Sequence, residues 1–237
     1  MIRRAPIVVV QAGRPPAALR NLHGEQPDWF KAALCERDSP IMVVRAHANE
    51  PLPEPGSFAC AIITGSWSMV TDREDWSERL AEWTRMIVSS GSRLLGVCYG
   101  HQLIAHALGG EVDYHPNGRE IGPKQIKLTD SGLQSPWLRN SPPSFSAFLT
   151  HEQSVLQLPE GATVLGRSQH DPHQIVSYGH NILTVQFHPE FTTDIMRACI
   201  EHRRDKLVAD GEEVDRLLHS IESLPIPKTL INAFCGG

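Results

Sequence analysis

The sequence predicts an α/β fold: a three-layer sandwich with a mostly parallel central sheet and antiparallel strands at its edge. Three observations predict it. Short apolar or β-branched runs recur at 7–10, 41–44, 61–63 and 94–97. Stripes of helical spacing lie between them. Beyond residue 110 the texture changes to closely spaced strand patterns, with Gly179-His180 as a hairpin turn. Alternating strands and helices build a parallel sheet wrapped on both faces, and hairpins extend it with antiparallel strands.

In chain order, Ile7-Val8-Val9-Val10 is a β-branched run between Pro6 and Gly13, a buried first strand. Residues 13–28 are rich in Gly, Pro and polar side chains and read as a loop. Trp29, Phe30, Ala33 and Leu34 have helical spacing. Residues 41–44 are a second strand and 51–56 a proline-rich loop. The third strand, Ala61-Ile62-Ile63, runs into Thr64-Gly65-Ser66. Trp76, Leu80, Trp83, Ile87 and Val88 form a helical stripe capped by Gly91. Residues 94–97 are a strand and 102–108 a helix closed by Gly109-Gly110. Strands then follow at 111–114, 121–128, 145–150, 163–167, 175–178 and 182–187. A helix spans 192–208, and a weaker one 212–223. Pro225 and Pro227 break the latter, leaving 234–237 as a tail. This divides the chain into a main domain, 1–208, and a helical extension with tail, 209–237.

Composition narrows the function. A length of 237 residues suits one large domain with a full core. The net charge of -5, with no Lys/Arg cluster larger than a pair, argues against a nucleic-acid partner. Five cysteines (Cys35, Cys60, Cys98, Cys199 and Cys235) show no Cys-x-x-Cys spacing, so no zinc or redox motif is expected and a reducing cytoplasm fits. The apolar run after Met1-Ile2-Arg3-Arg4 is too short for a signal peptide, and no stretch approaches the ~20 apolar residues of a membrane span.

The chemistry centres on Gly96-Val97-Cys98-Tyr99-Gly100-His101-Gln102. A cysteine flanked two residues either side by glycine, between a strand and a helix, is a nucleophile elbow with sulfur in place of oxygen. The tight turn needs small flanks, and the helix N-terminus beneath the apex favours negative charge. A lone buried cysteine is usually a small hydrophobe; the glycine setting overrides that reading here. Thr184-Val185-Gln186-Phe187-His188-Pro189-Glu190 supplies the rest. A thiol nucleophile needs a base, and a histidine at a strand end can serve. A carboxylate two residues on would fix the imidazole's tautomer and orientation.

These stretches resemble the class I, triad-type glutamine amidotransferases. Gly96 to Gln102 resembles the family's nucleophile motif, and Phe187-His188-Pro189-Glu190 its His-Pro-Glu motif. Ile63-Thr64-Gly65-Ser66 resembles its oxyanion loop, usually Ser-Gly-Gly then proline, with Ser66 and Trp67 as departures. Leu149-Thr150-His151-Glu152-Gln153-Ser154-Val155 resembles its Ser-His-x-Asp-x-Val segment, with Gln153 where aspartate is common. Gly118-Arg119-Glu120-Ile121-Gly122 fits the free-standing members similar to the amidotransferase domain of GMP synthase.

The resemblance implies a flavodoxin-like amidotransferase fold over roughly residues 7–200, and a Cys98-His188-Glu190 triad that cleaves the γ-glutamyl amide of glutamine or a γ-glutamyl compound through a thioester. It implies an oxyanion hole at Gly65, Ser66 and Tyr99, and substrate contacts from Gln102, His151 and Gln153. No cofactor or metal is implied. The chain leaves no room for a synthetase domain and has no Gly-x-x-x-x-Gly-Lys loop. An ammonia acceptor would therefore be a partner synthetase subunit, water or a small amine, and a homodimer stays open. Some free-standing relatives are γ-glutamyl peptidases, so a peptidase that does not use free glutamine is the first alternative. A catalytically silent binding subunit on the same fold, or a related cysteine-elbow hydrolase, are the others. The neutral Gln153 and the indole of Trp67 make free glutamine an unfavoured substrate. His170-Asp171-Pro172-His173 has metal-ligand residue types but no third ligand.

Overall fold

The computed structural model describes residues 5–34 and 39–236; Cys35 lies outside them. Among the described residues, β1 (Ile7–Gln11), α1 (Ala17–His23), α2 (Gln26–Ala33), β2 (Ile41–Arg45), β3 (Cys60–Ile63), α3 (Asp75–Ser90), β4 (Leu94–Val97) and α4 (Tyr99–Ala107) make the first half. The second half holds β5 (Glu111–Tyr114), β6 (Glu120–Leu128), α5 (Asp130–Gln134), β7 (Ser144–His151), β8 (Gln153–Gln157), β9 (Ala162–Arg167), β10 (Ile175–Tyr178) and β11 (Ile182–Val185). Four helices follow: α6 (Thr193–His202), α7 (Arg204–Ala209), α8 (Val214–His219) and α9 (Pro225–Gly236).

The main sheet runs β2-β1-β3-β4-β11-β10-β9-β6-β7. From β2 to β11 every pairing is parallel, and from β11 to β7 every pairing is antiparallel. The Gly179 hairpin joins β10 to β11 with φ +75°, the conformation that turn requires. A second, two-stranded sheet pairs β5 with β8.

Period-2 alternation splits the parallel strands between two cores. Ile7, Val9, Ile62, Leu95 and Val97 face one apolar layer that includes Phe30 of α2 and Phe234 of α9. Val8, Val10, Ile63 and Leu94 face the other, with Leu80 and Ile87 of α3 and Leu103 and Ile104 of α4. Both faces are thus covered, as a parallel sheet demands.

The structure corrects four local expectations. Residues 13–28 are not all loop: α1 forms there and α2 begins at Gln26. Pro27 sits in the first turn of α2, where its missing N–H costs nothing, and a Glu25–Asp28 capping box closes the end. Strand β8 lies in the segment after His151. The helix expected at 192–208 is two helices, interrupted at Arg203 with φ -103° and ψ 8°. Lastly, 234–236 is helix and not a tail, with Gly237 outside the described residues. Pro225 and Pro227 start α9 instead of ending structure, because proline fits a helix's first turn. Leu230, Ile231 and Phe234 are buried in the sheet's own core, and Phe234 meets Trp137 edge-on at 5.4 Å. Phe234→Ala should therefore lower the unfolding free energy by about 3–5 kcal/mol in urea titration; a loss under ~1 kcal/mol would mean that α9 is dispensable to the core.

Candidate active site

Strand β4 and helix α4 meet at Cys98, whose φ is +50° and ψ -101°. A side-chain-bearing residue rarely adopts positive φ, and such strain persists only where neighbours impose it. The neighbours are visible. A Cβ on Gly96 would lie 2.6 Å from the Gly100 carbonyl oxygen, and one on Gly100 would lie 2.4 Å from that of Ile63. Only glycines let strand, elbow and helix approach this closely. The Cys98 N–H donates to Val185 O at 2.8 Å, tying the apex to the strand that leads to His188.

Beyond β11 the chain presents His188, whose Nδ1 lies 2.8 Å from Glu190 Oε1. Both side chains are buried, and the imidazole stacks on Phe191 with centroids 4.0 Å apart. Burial alone would pull the His188 pKa down. The Glu190 carboxylate and the Cys98 sulfur, the latter within hydrogen-bonding reach, outweigh it and raise the value to about 10. Gly65 closes the cluster: a Cβ there would lie 2.9 Å from His188 Cε1 and 3.6 Å from Cys98 Cβ. The structure thus brings Cys98, His188, Glu190 and Gly65 together from three separate stretches of sequence.

The loop after β3 is fixed by Thr64, whose Oγ1 accepts from Ala12 N at 3.1 Å and donates to Gly65 O at 2.9 Å. In a trans peptide that carbonyl and the Ser66 N–H point opposite ways. The Ser66 hydroxyl accepts from Ser68 N at 3.1 Å. Tyr99 turns its ring away from the elbow, against Trp76 and onto the Ser77 hydroxyl, and burial raises its phenol pKa. What it leaves at the elbow is its backbone N–H, in the first turn of α4.

Cys98, Tyr99 and Ser66 line one cleft together with Gln102, His151 and Gln153. The last three are held by protein partners. Gln102 Nε2 donates to Gln153 O at 2.6 Å and Gln186 Oε1 at 2.9 Å. His151 sets Nδ1 against Gln153 O at 2.9 Å and Nε2 against Glu120 at 3.1 Å. Gln153 accepts from Val70 N at 3.1 Å and donates to Thr71 Oγ1 at 2.6 Å. Glu152 takes Arg119 and Lys206 as ion-pair partners.

Ser68, Met69 and Arg203 line the cleft and escape the sequence reading, and Arg119 enters it only within a family motif, with no site role. Arg203 was hidden because helical periodicity runs through 192–208, whereas the break there turns its guanidinium over the Trp67 ring, 5.5 Å from the centroid. The segment 170–173 is used structurally. His170 stacks on His115 at 3.9 Å, and His173 Nδ1 lies 2.6 Å from Val155 O. His101 is buried beneath the elbow against Thr184, and burial lowers its pKa to about 3.

Comparison with known proteins follows the same lines. Residues 29–203 match the family described as glutamine amidotransferase class-I. The chain is 26% identical to γ-glutamyl peptidase 5 of Arabidopsis thaliana over 164 residues, covering 68% of this chain and 65% of that protein. It is 36% identical to the glutamine-hydrolysing GMP synthase of Aeropyrum pernix over 115 residues, 48% of this chain and 22% of that one. The chain thus spans less than two thirds of the length of either relative. A glutamine amidotransferase structure from Thermotoga maritima superposes with a TM-score of 0.77 over 99% of this chain and 100% of the other, at 20% identity, a likeness of fold.

The raised His188 pKa has a pH signature. A basic group with a folded value near 10 and an unfolded value near 6.5 stabilises the fold fully below pH ~6.5, and that contribution is lost as pH rises through 10. In Glu190→Gln the main raising partner is gone and burial pulls His188 down. The stability difference between wild type and Glu190→Gln in urea should therefore be largest near pH ~6 and shrink toward pH ~10; a difference that grows over that range contradicts the charge pairing.

Proposed function

The chain belongs to the class-I glutamine amidotransferases, and on that premise we propose that it is a cysteine hydrolase that cleaves γ-glutamyl amide bonds through a thioester. The observation that carries the proposal is the buried His188–Glu190 pair, facing a cysteine held at positive φ. In this reading Cys98 Sγ attacks the γ-carbonyl carbon. Backbone N–H groups of Tyr99 and of Gly65 or Ser66 receive the oxyanion. His188 gives its proton to the departing amine, the C–N bond breaks, and a γ-glutamyl thioester remains. Water, deprotonated by His188, then adds to the thioester and releases glutamate and the free thiol. Per turnover, one water and one γ-glutamyl amide give glutamate and an amine. Glu190 holds the imidazole throughout.

The substrate assignment is a γ-glutamyl amide or peptide in preference to free glutamine. The acid that could pair with an α-ammonium at this cleft, Glu152, is already engaged by Arg119 and by Lys206 at 2.9 Å. Gln153 spends its amide on Val70 and Thr71. Similarity to a γ-glutamyl peptidase supports the same choice. A second reading, ammonia supply to a synthetase subunit, is favoured by the likeness to a glutamine-hydrolysing GMP synthase.

Two kinds of measurement test this, the first on the catalytic residues and the second on the substrate. Cys98→Ala should abolish glutamate release while leaving the melting temperature near that of wild type. A glutamine-like alkylating agent should label Cys98 ahead of Cys35 and ahead of the buried Cys60, Cys199 and Cys235. His188→Ala should lose about 10²-fold or more in kcat/KM and Glu190→Gln distinctly less, because an orienting group is partly dispensable when the nucleophile is a thiol. Labelling spread evenly over the cysteines, or equal losses in the two variants, would count against these roles.

The second measurement compares kcat/KM for glutamine and for γ-glutamyl dipeptides. The dipeptides are expected to lead. Glutamine leading every dipeptide would favour the ammonia-supplying reading.

A further inference from the structure

The cleft above Cys98 is walled by hydrogen-bond donors that have nothing to donate to. Arg119 Nε, Arg203 Nη1 and Trp67 Nε1 are all buried and, among the described residues, none has an acceptor. The buried Thr150 hydroxyl is unpartnered as well. All four residues line the cleft that holds Cys98. They come from four places in the fold: the loop after β3, the segment before β6, strand β7 and the α6–α7 break. Buried donors without acceptors are rare in folded proteins, and a cluster of them in one cleft has the form of a site lacking its ligand.

The charge balance says what kind of ligand. Arg119, Arg203 and Lys206 surround the cleft and its rim, and Glu152 is their nearby carboxylate. Arg119 and Lys206 share it. Arg203 has no ion-pair partner among the described residues; the Trp67 ring holds its guanidinium in place. The Arg119 side chain is only 6% exposed, so its guanidinium is fixed and desolvated. Forked N–H donors of this kind match a carboxylate.

We propose that Arg203, with the N–H groups of Arg119 and Trp67 and the Thr150 hydroxyl, forms a carboxylate-binding subsite that selects γ-glutamyl substrates by an anionic group. This deepens the proposed hydrolase reading and rests on it for the identity of the substrate. The carboxylate has two sources in a γ-glutamyl peptide: the α-carboxylate of the glutamyl half and that of the released residue.

The test uses the full chain carrying Cys98→Ala, so that ligands bind without turnover. Calorimetry gives Kd for γ-glutamylglycine, for γ-glutamylglycinamide, which lacks the released residue's carboxylate, and for 4-aminobutanoylglycine, which lacks the α-carboxylate. Adding Arg203→Met should weaken γ-glutamylglycine about tenfold or more, the range of a hydrogen bond to a charged group. The penalty should vanish on the one analogue that lacks the bound carboxylate, and that analogue names the source. Trp67→Phe keeps a ring under the guanidinium and removes only the indole N–H. It should weaken γ-glutamylglycine by about three- to tenfold, and it stands in if Arg203→Met melts early. No penalty, or an equal penalty on all three ligands, overturns the subsite.

Kinetics of the chain with Cys98 intact separate this from the hydrolase reading. Arg203-dependent binding without any turnover keeps the subsite and removes the hydrolase. Turnover of γ-glutamylglycine with KM unchanged by Arg203→Met keeps the hydrolase and removes the subsite.

Discussion

One backbone angle organises this molecule. Cys98 sits at φ +50°, and everything near it is arranged to make that conformation the available one. Gly96 and Gly100 allow β4, β3 and α4 to close to distances at which any side chain would strike a carbonyl oxygen. The Cys98 N–H is bound by β11, so the strand that ends toward His188 also holds Cys98 in place. Parallel pairing of β4 with both β3 and β11 is the wider condition. It delivers the loop after β3, the elbow and His188 to the same carboxyl edge of the sheet, where an open α/β sheet carries its site.

Around that edge lie two sets of charges. His188 and Glu190 form a buried pair that holds the imidazole above its ordinary pKa despite burial. The walls at Gln102, His151 and Gln153 are neutralised by hydrogen bonds among themselves and to Glu120 and the Val70–Thr71 segment. The cations Arg119 and Arg203 line the same cleft, with donors to spare.

The C-terminal helices serve this arrangement and the core at once. The α6–α7 break places Arg203 over Trp67, while Ile195, Met196 and Cys199 on α6 and Leu207 on α7 pack into one apolar cluster with Ile121 and Phe148 of the antiparallel strands. Helix α9 returns to the opposite layer, where it packs on β7 and buries Phe234 in the cluster that also holds Ile7, Val9, Leu95 and Val97. The last helix therefore bears on the sheet that positions the elbow.

Local pattern in the sequence was enough for the alternating strands and helices, for the switch to antiparallel strands after residue 110, and for the glycine-flanked cysteine, because each rests on neighbours within a few positions. The stretches holding Cys98, His188 and Gly65 were legible for the same reason. Local pattern failed where partners are distant in sequence. Pro225 and Pro227 look like breakers until the core that receives Phe234 is known. Residues 192–208 keep one helical period through a break that only tertiary packing imposes. Gln102, His151 and Gln153 carry polar groups whose partners, Gln186, Glu120 and Val70, lie 31 to 84 positions away. Residue types and short-range spacing determined the fold class and marked the stretches that meet around Cys98. Which donors were satisfied and which were left facing the cleft was decided by long-range approach of chain segments, a quantity that no local window contains.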